Sequence, residues 1–241
     1  MTDSSPAFPL GPDFRERLAR METDVDERQL AVRAAADALR SAIDELLTTA
    51  ADIDAIRSST RLVSQASDLL AAREHGRTYA TASEASLAGS DLGSREFLEY
   101  SPLFGPANPI APPLTLTITE ESVVAHATFG DVYEGPPGCV HGGFIAAAFD
   151  EVLGMTLSWV GTPGMTGRLT IHYRSPTPLH TKLRFEGRLD RRDGRKLLTS
   201  ATLHAGDRLC AEAEGLFVLV DEAMFERLRQ QRDASSQDRP G

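Results

Sequence analysis

The first regular pattern along the chain is helical. With Asp13 as N-cap, the apolar residues Phe14, Leu18, Met21 and Val25 recur at helical spacing. Val32, Ala36, Leu39, Ile43, Leu46, Ala50 and Ile53 then alternate steps of four and three, the heptad pattern of a helix-helix seam. A weaker stripe of Ile56, Val63 and Leu70 follows, with Gly76 as a helix stop. Residues 13–75 thus predict two or three helices, a hairpin or dimer-forming arm that serves packing or assembly rather than chemistry. From 77 to 113 the chain turns to Ser, Gly, Ala and Pro, a linker that becomes an extended lead-in. Its Phe97, Leu98, Tyr100, Leu103 and Phe104 are too apolar for a free tail and are expected to lie against the folded domain.

The period then changes to two. Leu114 to Thr119 alternates strictly and Ser122 to Phe129 is again β-rich, which predicts a hairpin. After Gly135-Pro136-Pro137-Gly138 comes a helix from Gly142 or Gly143 to about Trp159, apolar on nearly every side and so expected to be buried all round. Four more strands follow, Thr166 to Arg174, Lys182 to Asp190, Lys196 to Ala205 and Leu209 to Val220. Ser175-Pro176, Asp193-Gly194 and Gly206-Asp207 separate them, the last two as tight hairpin turns. Asp221 to Arg232 suits a short amphipathic helix, and Asp233 to Gly241 a disordered tail. Two strands, one long apolar helix and four strands are satisfied by an α+β architecture, an antiparallel sheet curled around a central helix. The expected division is 1–76 helical extension, 77–113 linker and lead-in, 114–221 main domain and 222–241 C-terminal helix and tail.

Charge narrows the partners. A formal net charge of -10 with no Lys/Arg block argues against nucleic acid. Cys139 and Cys210, far apart and without metal-ligand spacing, suggest neither a disulfide framework nor a zinc site. Residues 1–10 lack the order of a signal peptide, and no apolar run approaches the roughly 18 residues of a membrane span. The expectation is a cytoplasmic protein with no membrane partner.

This topology, together with His141-Gly142-Gly143, Asp150 and Met165-Thr166-Gly167-Arg168-Leu169, resembles the hotdog-fold acyl-CoA thioesterases, in particular the PaaI-like branch that includes the THEM thioesterases. The resemblance covers about residues 100 to 220 and leaves the N-terminal helices outside it. It implies hydrolysis of acyl-CoA to a free acid and coenzyme A, with no metal or redox cofactor and with sites at a dimer interface. His141, Asp150 and Thr166 occupy the positions of the HGG histidine, the aspartate nine residues later, and the threonine at the next strand start.

The residues themselves suit that chemistry. Gly142 and Gly143 at a helix N-terminus offer unpaired N–H groups to an oxyanion. Asp150 is a carboxylate in an apolar helix, costly unless paired or used, and serves as general base or as nucleophile; the neighbouring Glu151 points about a quarter-turn away. Gly143 and Asp150 lie seven positions apart, roughly 10 Å along a helix axis, so they cannot touch one carbonyl carbon. A complete site therefore needs two copies, a homodimer or a dimer of dimers. Thr166 either orients Asp150 or its water, or simply fills a strand start. His141 contacts the thioester oxygen or braces the turn; its place at the helix end away from Asp150 favours positioning over base catalysis. Cys139 is read as a small buried filler rather than a nucleophile. Arg168, Arg174 and Lys182 are the candidate cations for the coenzyme A phosphates, with Ser175 and Pro176 beside them, whereas Arg191, Arg192, Arg195 and Lys196 read as a solvated hairpin tip. Phe144, Phe149, Leu153 and the lead-in are expected to line the acyl pocket. A dehydratase is disfavoured because Leu153, Gly154 and Met155 stand where its glutamate is wanted. A non-catalytic acyl-CoA-binding or scaffold protein is the alternative from another class.

Overall fold

The computed structural model describes residues 25–73, 98–119, 122–159, 164–220 and 222–237. The expected helix behind Asp13, the stop at Gly76 and the position of Phe97 lie outside them. Six antiparallel strands form one sheet: β1 (Thr115–Ile118), β2 (Val123–Ala127), β3 (Gly164–Tyr173), β4 (Leu183–Asp193), β5 (Lys196–Ala205) and β6 (Arg208–Leu219), in the order β1-β2-β4-β5-β6-β3. The two predicted tight turns are present, with Gly194 and Gly206 at φ 56 and 59, where a side chain would be strained. Among the described residues two helices, α1 (Glu27–Thr48) and α2 (Ile53–Ala71), precede the sheet, α3 (Gly142–Trp159) packs against it, and α4 (Glu222–Gln237) follows β6.

The core is the space between α3 and the sheet. Ile145, Ala148, Phe149, Val152, Leu153 and Leu157 of α3 pack on Val123, Ala125, Leu183, Phe185, Leu203 and Phe217. Phe149 meets Phe185 edge-on, ring centroids 5.3 Å apart. The lead-in closes the opposite side of α3. Leu98, Leu103 and Phe104 are buried there, and the Ser101 hydroxyl donates to Glu151 of α3 at 2.6 Å.

Three expectations give way. The central helix is not buried all round: Gly143 and Phe144 are exposed and Ala146, Asp150 and Gly154 half-buried, because that face looks past β3, the last strand of the sheet among the described residues. Within the single chain, among the described residues, the heptad stripe is not packed into a helix-helix seam, and Leu39, Ile43, Leu46 and Ile53 are exposed. α1 instead docks on the lead-in through Gln29, Arg33, Ala36 and Arg40, also spaced four, three and four. Arg33 makes two hydrogen bonds to the fully buried Glu99, 2.7 and 2.6 Å long. Arg40 donates to the carbonyls of Asn108 and Pro106. The third change is at the C-terminus, where helix continues to Gln237 through part of the expected tail; no Pro or Gly interrupts residues 222–237.

One irregularity positions the site. The β3–β6 register shifts between Thr166 and Arg168, leaving Gly167 as a bulge. Leu169 and Ile171 pack against the core, so in an unbroken strand Thr166, three positions before Leu169, would face the other way. The extra residue turns Thr166 back toward α3.

Candidate active site

The turn before α3 is held from several directions. The backbone N–H groups of Val140, His141 and Leu179 donate to the carbonyls of Thr177, Tyr133 and Gly138, all within 3.1 Å. Gly138 has φ 71, and its N–H donates to the Glu134 carboxylate at 2.6 Å. A Cβ on Gly135 would sit 2.7 Å from the Cα of His141, so only glycine fits. Cys139 is half-buried here rather than buried.

At the start of α3 the backbone N–H groups are orphans by position. Those of Phe144 and Ile145 donate to the carbonyl of His141, at 3.0 and 3.3 Å. The Gly143 N–H donates to His141 Nδ1 at 3.0 Å, so the imidazole acts as a side-chain N-cap with its lone pair on Nδ1. Two open glycine amides are expected from the sequence; Gly142 N–H has no acceptor among the described residues, whereas the Gly143 N–H is engaged by histidine. The Gly142 carbonyl accepts from the Tyr173 hydroxyl at 2.8 Å. The peptide unit joining the two glycines is thereby gripped at its oxygen by Tyr173 and at its nitrogen by His141.

Two turns further along α3, Asp150 is half-buried and accepts a hydrogen bond from the Thr166 hydroxyl at 2.8 Å. A carboxylate among apolar neighbours is thus given a partner but not sealed. Glu151 has the more enclosed site. Burial, reinforced by the charge of Asp150, pushes its carboxyl up from the usual range against the lowering effect of the Ser101 hydrogen bond.

Thr166 and Tyr173 sit near the two ends of β3, so one edge strand touches both halves of the constellation, Asp150 at one end and Gly142 at the other.

Residues 137–212 match the family model described as Thioesterase superfamily. A solved structure described as a thioesterase superfamily protein shares 34% identity with the chain over 78% of its length and 94% of that protein's, with a TM-score of 0.68. The chain belongs to the thioesterase superfamily. Among curated members, an acyl-coenzyme A thioesterase THEM4 from Xenopus laevis is 35% identical over 91 residues, 37% of this chain and 41% of that protein. THEM4 from Mus musculus is 38% identical over 90 residues, 36% of this chain and 39% of its own. Human THEM5 is 32% identical over 91 residues, 37% of each. The match therefore spans less than half the length of these curated relatives.

The candidate cations of this superfamily member divide. Arg168 is exposed on β3 with no ion-pair partner among the described residues. Arg174 is already paired, its Nε 2.7 Å from the Glu212 carboxylate, so it is a weaker phosphate candidate than its sequence position suggests. Ser175 and Pro176 are fastened to the start of β6: Ser175 donates from its N–H to Cys210 and from its hydroxyl to Leu209, and the Pro176 carbonyl lies 3.8 Å from the Cys210 sulfur. Lys182 stands beside His126, whose pKa falls through burial and through the charges of Lys182 and Arg184. Of the expected pocket residues, Phe144 is exposed, but Phe149 and Leu153 are fully buried in the core and cannot line an open pocket. Tyr173, Glu151 and Ser101 were not candidates by sequence. Tyr173 ends an edge strand and Ser101 lies 50 positions from Glu151, separations that carry no periodic signal.

Proposed function

We propose that this chain is an acyl-CoA thioesterase, hydrolysing acyl-CoA to a carboxylic acid and coenzyme A. The observation that carries the reading is the pairing, along one helix of a thioesterase-superfamily fold, of an accessible Asp150 held by Thr166 with a glycine turn presenting amide donors. A water oxygen attacks the thioester carbon as Asp150 takes its proton, or the Asp150 carboxylate attacks and the resulting anhydride is hydrolysed. In either route the carbonyl oxygen becomes an oxyanion held by the Gly142 and Gly143 N–H groups. It collapses with cleavage of the C–S bond, and the coenzyme A thiolate leaves. His141 is a positioning residue: its Nδ1 yields the Gly143 N–H to the substrate oxygen, which is the stronger acceptor once negative. Water is the co-reactant, and the reading calls on no metal or redox cofactor.

The helix geometry places Gly143 and Asp150 of one chain too far apart for one carbon, so the active form is a homodimer with shared sites. The edge of β3, ten residues long and unpaired among the described residues, supports this, because an open strand edge is a template for a second strand. The proposal extends to the PaaI-like branch, on the resemblance of His141, Asp150 and Thr166, to assembly into dimers or dimers of dimers, and to a cytoplasmic setting, on the two unpaired cysteines.

A panel of acyl-CoAs with a thiol reagent tests the activity. Wild type is expected to release thiol, and Asp150→Asn to lose at least about a hundredfold in kcat with the dimer intact; binding of acyl-CoA without any release would favour the non-catalytic reading instead. Mixing tests the shared site. Gly143→Pro removes one donor in a first turn that tolerates proline. Co-refolded with Asp150→Asn, it is expected to recover activity that neither variant has alone, since one of the two mixed sites is intact. Sites contained within single chains would stay dead on mixing.

A further inference from the structure

Beside the first turn of α3 lies a groove of about 500 Å³ that the proposed reaction, as stated, does not use. Its walls come from three stretches: Ile43 on α1, Leu103 and Ile110 on the lead-in, and Tyr133, Phe144 and Ala147 around the glycine turn. Ile43, Ile110 and Phe144 keep 41%, 63% and 37% of their surface exposed, so the groove presents apolar carbon to water. Its volume falls within the range of small-molecule sites, roughly 300–1,000 Å³.

We propose that this groove takes the acyl chain of the substrate, so that α1, outside the segment matched by the family model, sets which chain lengths are accepted. The inference rests on the thioesterase reading. Position is the first argument. Phe144 directly follows Gly143, the amide assigned to the thioester oxygen, and its ring packs on both His141 and Tyr133, with centroids 6.3 and 4.8 Å apart. A chain leaving the carbonyl carbon past Phe144 enters the groove at once. Charge is the second. The ionic groups on its lining are Asp44 and Arg40, and Arg40 is spent on Asp37 and the carbonyls of Pro106 and Asn108. With a carboxylate at the wall and no uncommitted cation lining it, the groove repels the coenzyme A phosphates and accepts an uncharged tail. Burial and Asp44 both raise the pKa of Tyr133, keeping the phenol neutral as well. Two other grooves among the described residues fit less well. One of about 340 Å³ on the outer sheet face is walled by Glu186, Glu212, Glu214, Arg174 and Arg188, and one of about 360 Å³ between α1 and α2 includes no residue of α3.

Filling the groove from opposite walls tests this. In wild type, kcat/KM should rise by about fourfold per methylene, the value of a buried CH₂, until the groove is full. Ile43→Trp and Ile110→Trp should each lower the ratio of long-chain to short-chain kcat/KM by tenfold or more, while Leu62→Trp on α2 leaves that ratio as it was. An uncharged probe, N-phenyl-1-naphthylamine, should fluoresce with wild type and lose that signal in both groove variants. Chain-length profiles in both groove variants that superimpose on wild type would overturn the proposal, as would undiminished probe binding. The probe needs no turnover, so a wild type that binds it but hydrolyses no acyl-CoA refutes the thioesterase reading while leaving the groove's apolar specificity to be judged from the variants.

Discussion

Replacing Arg33 by alanine probes the joint between the N-terminal helix and the body of the protein. Glu99 is fully buried and Arg33 23% exposed, and the two hydrogen bonds of 2.7 and 2.6 Å make this a paired, enclosed charge rather than a surface bridge. The Glu99 side chain also raises the Arg33 pKa by hydrogen bonding, so the guanidinium is charged throughout the working range. Removing one partner of such a pair costs about 3–5 kcal/mol, because the carboxylate left behind is neither solvated nor neutralised. For a protein of this size that corresponds to about 6–20 °C in Tm if unfolding is cooperative, at roughly 2–4 °C per kcal/mol. The cost has a ceiling. α1 buries only Gln29 and Ala36 among its residues, so when its docking energy is exceeded the helix lifts off and water reaches Glu99. Thermal unfolding alone would then underestimate the effect, and amide exchange over 27–48 reads the rest. The expected result is a Tm drop, or loss of protection confined to α1, or both. Arg33→Met with Glu99→Met, apolar on both sides, should return most of the loss. A penalty below about 1 kcal/mol with α1 protection unchanged would mean that the pair behaves as an ordinary surface bridge, and the reasoning would fail.

Other substitutions read the site. Thr166→Ala removes the hydroxyl from Asp150, a hydrogen bond to a charged group of about 1.5–3 kcal/mol, and should lower kcat by roughly ten- to a hundredfold; Thr166→Ser should stay near wild type, and a Ser variant as slow as Ala would count against the bond. Tyr173→Phe frees the Gly142 carbonyl and should reduce kcat/KM about fivefold, the value of about 1 kcal/mol, through kcat more than KM. Glu151→Gln concerns pH. Its carboxyl titrates above the ordinary 4.5, so the folded state binds that proton more tightly than the unfolded chain does. Its contribution to stability therefore falls as pH rises from about 4.5 through the raised value. The Tm of Glu151→Gln relative to wild type should climb between pH 4 and pH 8, and a difference that shrinks over that interval would show the Ser101 bond outweighing burial.

Strands and turns were legible because both leave short-range marks. Leu114 to Thr119 alternates, Lys196 to Ala205 is bounded by Asp193-Gly194 and Gly206-Asp207, and the central helix starts at glycines and runs apolar to Trp159. What stayed hidden was of two kinds. Polar pairings across long separations, Arg33 with Glu99 and Ser101 with Glu151, have no period to detect. In α1 the apolar stripe of Leu39, Ile43 and Leu46 did not reveal the face that docks on the lead-in, because that docking uses long side chains whose stems pack while their heads bond. The carboxylate and the glycine turn were visible as candidates from residue type and spacing. So was His141, as a residue that contacts the thioester oxygen or braces the turn; its bond to the Gly143 N–H was not, since a side chain that caps its own helix looks in sequence the same as one that faces substrate.

The bulge at Gly167 makes β3 a counter of parity. Thr166 and Tyr173 are seven positions apart, an odd interval that in an unbroken strand sends two side chains to opposite faces. Both reach α3 only because one position is absorbed between them. A chain that lost Gly167 would keep every strand and every named residue, yet it would have to turn either the threonine away from the carboxylate or the tyrosine away from the glycine carbonyl. Aligning this threonine with one in another protein thus says little by itself; the number of residues before the next helix-facing side chain must agree as well.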